Sequence, residues 1–316
     1  MNAISALDEP EYRKERFDEG ASGMKRKPSL QPGRPQGLGF IRDLAFAFLA
    51  VLVINSFVLA SFEVPTGSME DTVKIGDRLF VNKFIYGGST PYTIPLTSIR
   101  IPHFRIPGFR NVARGDVIVF DWPGGRDQVE KPVQTWYLKR CVALPGDTVR
   151  IDQRVVYVNG KRLKNPDHGK FLRPVSQPSD YRNPSIFPRG AKFNEDNYGP
   201  IVVPQKGMTL VLSPRTLPSW ETFIRREGHA VEMIDSKIMI DGREVTYYTV
   251  GRDYLFAMGD NRDDSLDSRF WGFVPLEDVI GTPVLVYWSW NPQIPIYRIY
   301  SKICSINLKR IGVIVR

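Results

Sequence analysis

The hydrophobic and polar positions change character three times along the chain. Residues 1–39 are polar and mixed in charge, with Gly, Pro and Ser punctuation such as "KRKPSLQPGRPQG" and no sustained apolar period. They read as a disordered tail. Then "LAFAFLAVLVINSFVLASF", Leu44 to Phe62, runs nineteen residues without a charge. As a helix rising about 1.5 Å per residue it covers roughly 28 Å, close to the ~30 Å hydrocarbon core of a bilayer. This predicts one transmembrane helix over 40–62. Apolar residues on every face weigh against a buried core helix. The small residues around Val58–Ala60 resemble a cleavage site, but the long tail and the length of the run weigh against a removed signal peptide.

From residue 75 onward the pattern shortens to that of strands. "DRLFVNKF" (77–84), "GDVIVFDW" (115–122), "TWYLKRCVAL" (135–144) and "FVPLEDVIGTPVLVYWSW" (273–290) are β-branched and aromatic runs cut by Gly, Pro and Asp. "VVYVNGKRL" (155–163) and "KIMIDGREV" (237–245) place Asn-Gly and Asp-Gly between apolar alternations, which predicts two hairpins. Helical periods are scarce. The fold class is therefore mainly β, and residues 164–235, polar and turn-rich, read as an insertion or a second, smaller lobe. The last residues, 297–316, mix apolar and basic positions and suit either a membrane surface or a final strand.

Charge refines this picture. The net charge is +9, and the eight basic and eight acidic residues up to Glu63 cancel, so the whole excess follows Glu63. That part should be drawn to anionic lipid or to nucleic acid. Lys25, Arg26, Lys27, Arg34 and Arg42 precede the apolar run, so the positive-inside rule puts the tail in the cytoplasm and residue 64 onward outside. The segment 88–112 has no acid and interleaves Ile, Leu and Phe with Arg. It is either a Pro-rich loop or a surface with Arg100, Arg105 and Arg110 on lipid phosphates. Two distant cysteines, Cys141 and Cys304, exclude a disulfide framework and a Cys-rich zinc site.

The three histidines, His103, His168 and His229, sit in loop sequence without an acid-bearing motif, so a Ser-His-Asp triad and a metal cluster both lack support. Ser68, in "EVPTGSMEDT" (63–72), still needs a base to act as a nucleophile. Lys139 is a candidate. Strand alternation puts it on one face with Tyr137, Cys141 and Ala143, where burial would favour the neutral amine; the alternative is a surface lysine. In "FAMGDNRDDSLDSRFWGFVP" (256–275) the dense Asp, Asn and Arg read as a turn network including Asp267 and Arg269, with Ser265 available to orient a lysine.

These blocks resemble the bacterial type I signal peptidases, or leader peptidases, which are membrane-bound Ser/Lys serine proteases. The likeness comprises the apolar segment, "PTGSMEDT", "IGDRLFVNKFIYG" (75–87), "RGDVIVF" with "YLKRCVALPGD", and "MGDNRDDSLDSRFWGFVP". It implies a mostly antiparallel β fold, with a catalytic core over 63–163 and 250–316 and a variable cap over 164–249, and it implies Ser68 as nucleophile and Lys139 as general base. It further implies an oxyanion hole from the Ser68 N–H and the Thr66 hydroxyl, and Ser265, Asp267, Arg269 and Gly259 as supporting residues. Val64, Met69, Val73 and Leu138 would line shallow pockets for small side chains at the first and third positions before the cut. The implied substrates are exported preproteins with Ala-x-Ala sites, cleaved outside the bacterial cytoplasmic membrane at an anionic phospholipid surface. No cofactor, metal or nucleic acid is implied. A peptidase for a specialised secretion or conjugation substrate, a LexA-like self-cleaving protein and a non-catalytic lipid-binding module are the competing readings.

Three features depart from the family pattern. Thr66 stands where serine is common, Asp71 stands where Met-x-Pro-Thr has proline, and one apolar segment precedes the serine where some members have two.

Overall fold

A computed structural model of the chain describes residues 36–88, 105–130 and 135–316. Most of the expected tail, and Arg100 and His103 of the Pro-rich segment, lie outside the described residues. The chain divides into two units, 1–47 and 48–316.

Helix α1, Gln36–Phe57, contains the apolar window Gly39–Phe57, none of which is buried inside the protein. A core helix would hide at least one face. The helix stops five residues short of the expected Phe62, because Leu59–Glu63 form strand β1 instead. Its backbone groups pair with strand β2, Asp77–Asn82, from Leu59↔Asn82 to Glu63↔Arg78. At the junction the Lys83 N–H donates to the Val58 carbonyl and Lys83 Nζ to the Asn55 carbonyl. An uncharged run carries no sign of this switch; a partner strand decides it.

Strands β3 (Val117–Asp121) and β4 (Trp136–Ala143) lie where the pattern puts them. Asn159 and Gly160 join β6 (Val155–Val158) to β7 (Lys161–Arg162), while Asp241 and Gly242 join β11 (Lys237–Ile240) to β12 (Arg243–Glu244). All four turn residues have positive φ, the type I′ geometry that Asn-Gly and Asp-Gly favour.

A mostly antiparallel seven-stranded sheet, ordered β1-β2-β16-β3-β4-β14-β15, carries the core, with β14 at Tyr254–Met258, β15 at Val274–Pro275 and β16 at Val279–Ser289. The long β16 serves two partners, β3 through its first residues and β2 through the rest. Gly281 sits at that changeover, where a Cβ would lie 2.4 Å from the Asn82 carbonyl oxygen.

Strand pairing runs across residue 163. Strand β5 (Thr148–Asp152) pairs with β6 on one side and with β8 (Tyr198–Val202), inside the expected insertion, on the other. One apolar core then joins Val142, Phe256 and Phe273 to Ile186, Tyr198 and Ile224 of the insertion. Burial therefore runs through the expected boundary.

At the C-terminus, Gly312–Val315 exchange backbone hydrogen bonds with Val284 and Val286 of β16, so the end of the tail takes the strand-like option. Cys141 is buried and Cys304 exposed, and both are free. Arg105 does not face outward for phosphates. Its guanidinium donates to the carbonyls of Tyr86, Gly87, Glu277 and Val279. Arg110 is bidentate on Asp116.

Candidate active site

Ser68 begins a tight turn after β1. Glu70 N–H donates to the Gly67 carbonyl and Val73 N–H to the Met69 carbonyl, which curls the backbone and presents the serine. At Gly67 an added Cβ would meet nothing closer than Asp264 Oδ2 at 3.5 Å, so packing inside the protein does not demand glycine there. Asn261 N–H, from the loop after β14, holds the Ser68 carbonyl at 3.0 Å.

Lys139 arrives from the middle of β4. Its Nζ is hydrogen-bonded to Ser68 Oγ, and the side chain is 3% exposed. Tyr137, two residues earlier on the same strand, lies with its ring 5.5 Å from the amine. Burial pushes the Lys139 pKa down to about 8, against the opposing pull of Asp267 and Asp260.

The loop 259–269 backs this pair. Gly259 is wedged between its neighbours: a Cβ there would lie 2.2 Å from Ser265 Oγ and 2.6 Å from the Ser68 carbonyl oxygen. Glycine is what lets Ser265 and Ser68 approach from two sides. Ser265 is buried and its Oγ has no hydrogen-bond partner among the described residues, so the expected bond to Lys139 is not formed. Asp267 and Arg269 form a fully buried ion pair, and Asp267 also accepts from the Gly259 N–H. Burial raises the Asp267 carboxyl, but the Arg269 charge and these hydrogen bonds outweigh it and hold the pKa below the ordinary range. Asp267 in addition caps the short helix α3, Ser268–Trp271, by accepting from the Arg269 N–H.

Ser68 and Lys139 lie in a cleft of about 250 Å³. One flank is Phe62–Thr66, the other Thr135–Lys139. Strand β1 is the sheet edge, and β14 pairs only with Arg140, Cys141 and Ala143 of β4, so among the described residues the outer edge of β1 and the corresponding edge of Trp136–Lys139 have no partner strand. Val64, Met69 and Leu138 line the cleft. Val73 does not; it is fully buried in the small core that contains Met69 and Leu138, one layer below. Among the described residues, neither the Ser68 N–H nor the Thr66 hydroxyl has a hydrogen-bond partner. Neither His168 nor His229 lines the cleft, and His229 Nδ1 pairs with Asp241 at 2.6 Å.

Three features escaped the sequence reading. Asp260, fully buried, takes a bidentate pair from Arg140 and a 2.6 Å hydrogen bond from Thr72 Oγ1. It thereby joins the serine turn, the lysine strand and the 259–269 loop. Trp136 lines the cleft and packs edge-on against Phe62 of the opposite flank at 5.3 Å. Asp264 also lines the cleft. All three stand in quoted motifs, but only spatial neighbours give them roles.

Comparison with known proteins places these features in context. A model of the family described as signal peptidase, peptidase S26, matches residues 38–288. Signal peptidase I of Pseudomonas fluorescens is 31% identical over 255 residues, covering 76% of this chain and 68% of that protein. Signal peptidase I of Buchnera aphidicola subsp. Schizaphis graminum is 29% identical over 268 residues, covering 80% of this chain and 77% of its own. That of Rickettsia typhi is 29% identical over 280 residues, covering 85% and 90%.

Proposed function

This chain belongs to the signal peptidase family, peptidase S26, and we propose that it removes signal peptides from exported preproteins with Ser68 as nucleophile and Lys139 as general base. The observation that carries the assignment is the buried Lys139 Nζ hydrogen-bonded to Ser68 Oγ, with burial bringing the amine toward neutrality.

The substrate lies extended between the edges of β1 and β4, adding main-chain hydrogen bonds to both. A neutral Lys139 takes the Ser68 proton as Oγ attacks the scissile carbonyl. The oxyanion forms against the Ser68 N–H and the Thr66 hydroxyl, which are free to donate to it. The lysine then gives its proton to the leaving amine, and an acyl-serine remains. Water, deprotonated by the same lysine, hydrolyses that ester and restores Ser68. Val64, Met69 and Leu138 leave room for small residues near the cut, which fits small-x-small sites. Asp267 and Arg269 hold the backing loop, and Ser265 beside Gly259 is poised to meet the lysine amine when it turns toward the leaving group.

Helix α1 anchors the enzyme in the bacterial cytoplasmic membrane, with the residues after it outside and the preceding basic residues inside. This orientation brings the serine to the level where a preprotein leaves the bilayer. Detergent-solubilised protein should cleave a preprotein after an Ala-x-Ala site, and Ser68→Ala and Lys139→Ala should each abolish cleavage while leaving the protein folded. Activity in either alanine variant would remove that residue from the mechanism. In sealed cells, protease should reach residues 164–249 from the outer side; protection there would reverse the orientation.

A further inference from the structure

Lys170–Arg173, in the chain that follows β7, touches both the 260–263 loop behind the dyad and the turn that carries Ser68. Lys170 N–H donates to the Asp260 carbonyl at 2.9 Å, and the Lys170 carbonyl accepts from Arg262 N–H at 3.0 Å, a parallel bridge centred on Asn261. Three residues on, Arg173 donates to Asp263 through its backbone N–H and its guanidinium, each at 2.7 Å. This segment is thus fastened to the same loop that holds the Ser68 carbonyl.

From that anchorage the Lys170 ammonium reaches the serine turn. It pairs with Glu70 at 2.9 Å and Asp71 at 3.4 Å, the second and third residues after the nucleophile. Asp71 has φ of +76°, in the left-handed region that a side-chain-bearing residue resists unless its surroundings hold it there. Proline, with φ near −65°, cannot adopt that conformation. The turn therefore does not get its shape from a rigid residue at 71. It gets it from contacts: its own backbone hydrogen bonds, Thr72 on Asp260, Arg310 on the Thr72 carbonyl, and Lys170 on Glu70 and Asp71.

We propose that Lys170 is a positioning residue for Ser68: bolted by its backbone to the 260–262 loop, its ammonium clamps Glu70 and Asp71 and keeps Ser68 Oγ on Lys139. The inference rests on Ser68 being the nucleophile. An isolated exposed ion pair contributes little, because two long side chains must be ordered for it. Here the lysine backbone is already fixed and one ammonium serves two carboxylates, so less order is lost. The pair acts on geometry, and small misplacements of a reacting group are expensive in rate. The insertion accordingly has a catalytic duty although it contributes no residue to the cleft.

The test uses the full chain in detergent with a preprotein substrate. Lys170→Met should lower kcat by about three- to tenfold with KM within about twofold, a loss confined to the reacting geometry. Amide hydrogen exchange should speed up at residues 70–73 and stay unchanged in β5–β8. Lys170→Arg should restore most of the kcat, and Glu70→Gln with Asp71→Asn should lower it without adding to the loss in Lys170→Met. An unchanged kcat in Lys170→Met overturns the proposal, as does a loss that arginine does not restore or that comes with faster exchange throughout β5–β8. Ser68→Ala in the same assay keeps the two readings apart: cleavage by that variant sinks the nucleophile assignment whatever Lys170 does.

Discussion

Lys139 Nζ meets Ser68 Oγ across 71 residues of sequence, inside a site where the amine is almost wholly withdrawn from water. Only the neutral amine accepts the serine proton, and burial sets its pKa at about 8. Below that value kcat/KM should fall roughly tenfold for each step of one in pH, the slope of one essential deprotonation. Lys139→Arg should be inactive, since guanidinium stays charged. Substituting His103, His168 and His229 together should leave the pH limb in place; its loss in the triple variant would count against the dyad.

The same burial has a thermodynamic consequence. The folded-state pKa of Lys139 lies below the 10.5 of an ordinary lysine, so between about 8 and 10.5 the unfolded chain binds more protons, and stability rises with pH across that window. At neutral pH the protonated form is buried at a cost of about 3 kcal/mol, since a tenfold change in proton affinity is worth roughly 1.4 kcal/mol. Lys139→Met should therefore be inactive and more stable at pH 7, with the gain shrinking toward pH 10. Thermal unfolding of both proteins as a function of pH measures it, and equal stability at pH 7 would contradict a buried charged lysine.

Thr66 offers a separate check on the oxyanion hole. Thr66→Val keeps the branched shape and removes the donor, so kcat should drop by about a hundred- to a thousand-fold while KM changes little. Thr66→Ser should keep most of the activity. A valine variant within about threefold of wild type, a loss of only about 0.65 kcal/mol, would end the assignment.

At residue 71 the family pattern and this structure point in opposite directions. Asp71→Pro restores the common residue but asks for negative φ where the backbone has +76°. It should destabilise the protein by about 2 kcal/mol or more and depress kcat. Asp71→Gly, at ease with positive φ, should be within about 1 kcal/mol of wild type. A proline variant as stable as wild type would show that the turn adopts a different backbone.

Gly259→Ala tests the wedge behind the dyad. Its Cβ would overlap Ser265 Oγ and the Ser68 carbonyl oxygen, and the latter is backbone that must move with the nucleophile. Cleavage should fall at least about a hundredfold. Steady-state kinetics of an alanine variant that still folds decides it, with near-normal turnover as the contrary result.

What the sequence determines by itself is what local chemistry specifies. The type I′ hairpins at Asn159-Gly160 and Asp241-Gly242 are legible because those pairs tolerate positive φ. The tight turns at Gln153-Arg154 and Asp235-Ser236 are not, since they take the same positive φ without a glycine and are imposed by the strands they join. The uncharged run announces a span-length helix, but the partner β2 draws its last four residues, Leu59–Phe62, into a strand. Ser68 and Lys139 stand out as residue types in distinctive blocks, whereas Asp260 becomes the hub of the site only when Thr72 and Arg140 are brought onto it. The insertion likewise reads as a separate lobe until β8 pairs with β5 and Lys170 reaches Glu70. The physical reason is common to these cases: turn and helix preferences are encoded by neighbours in the chain, while strand partners, burial and the pKa of a lysine belong to neighbours in space.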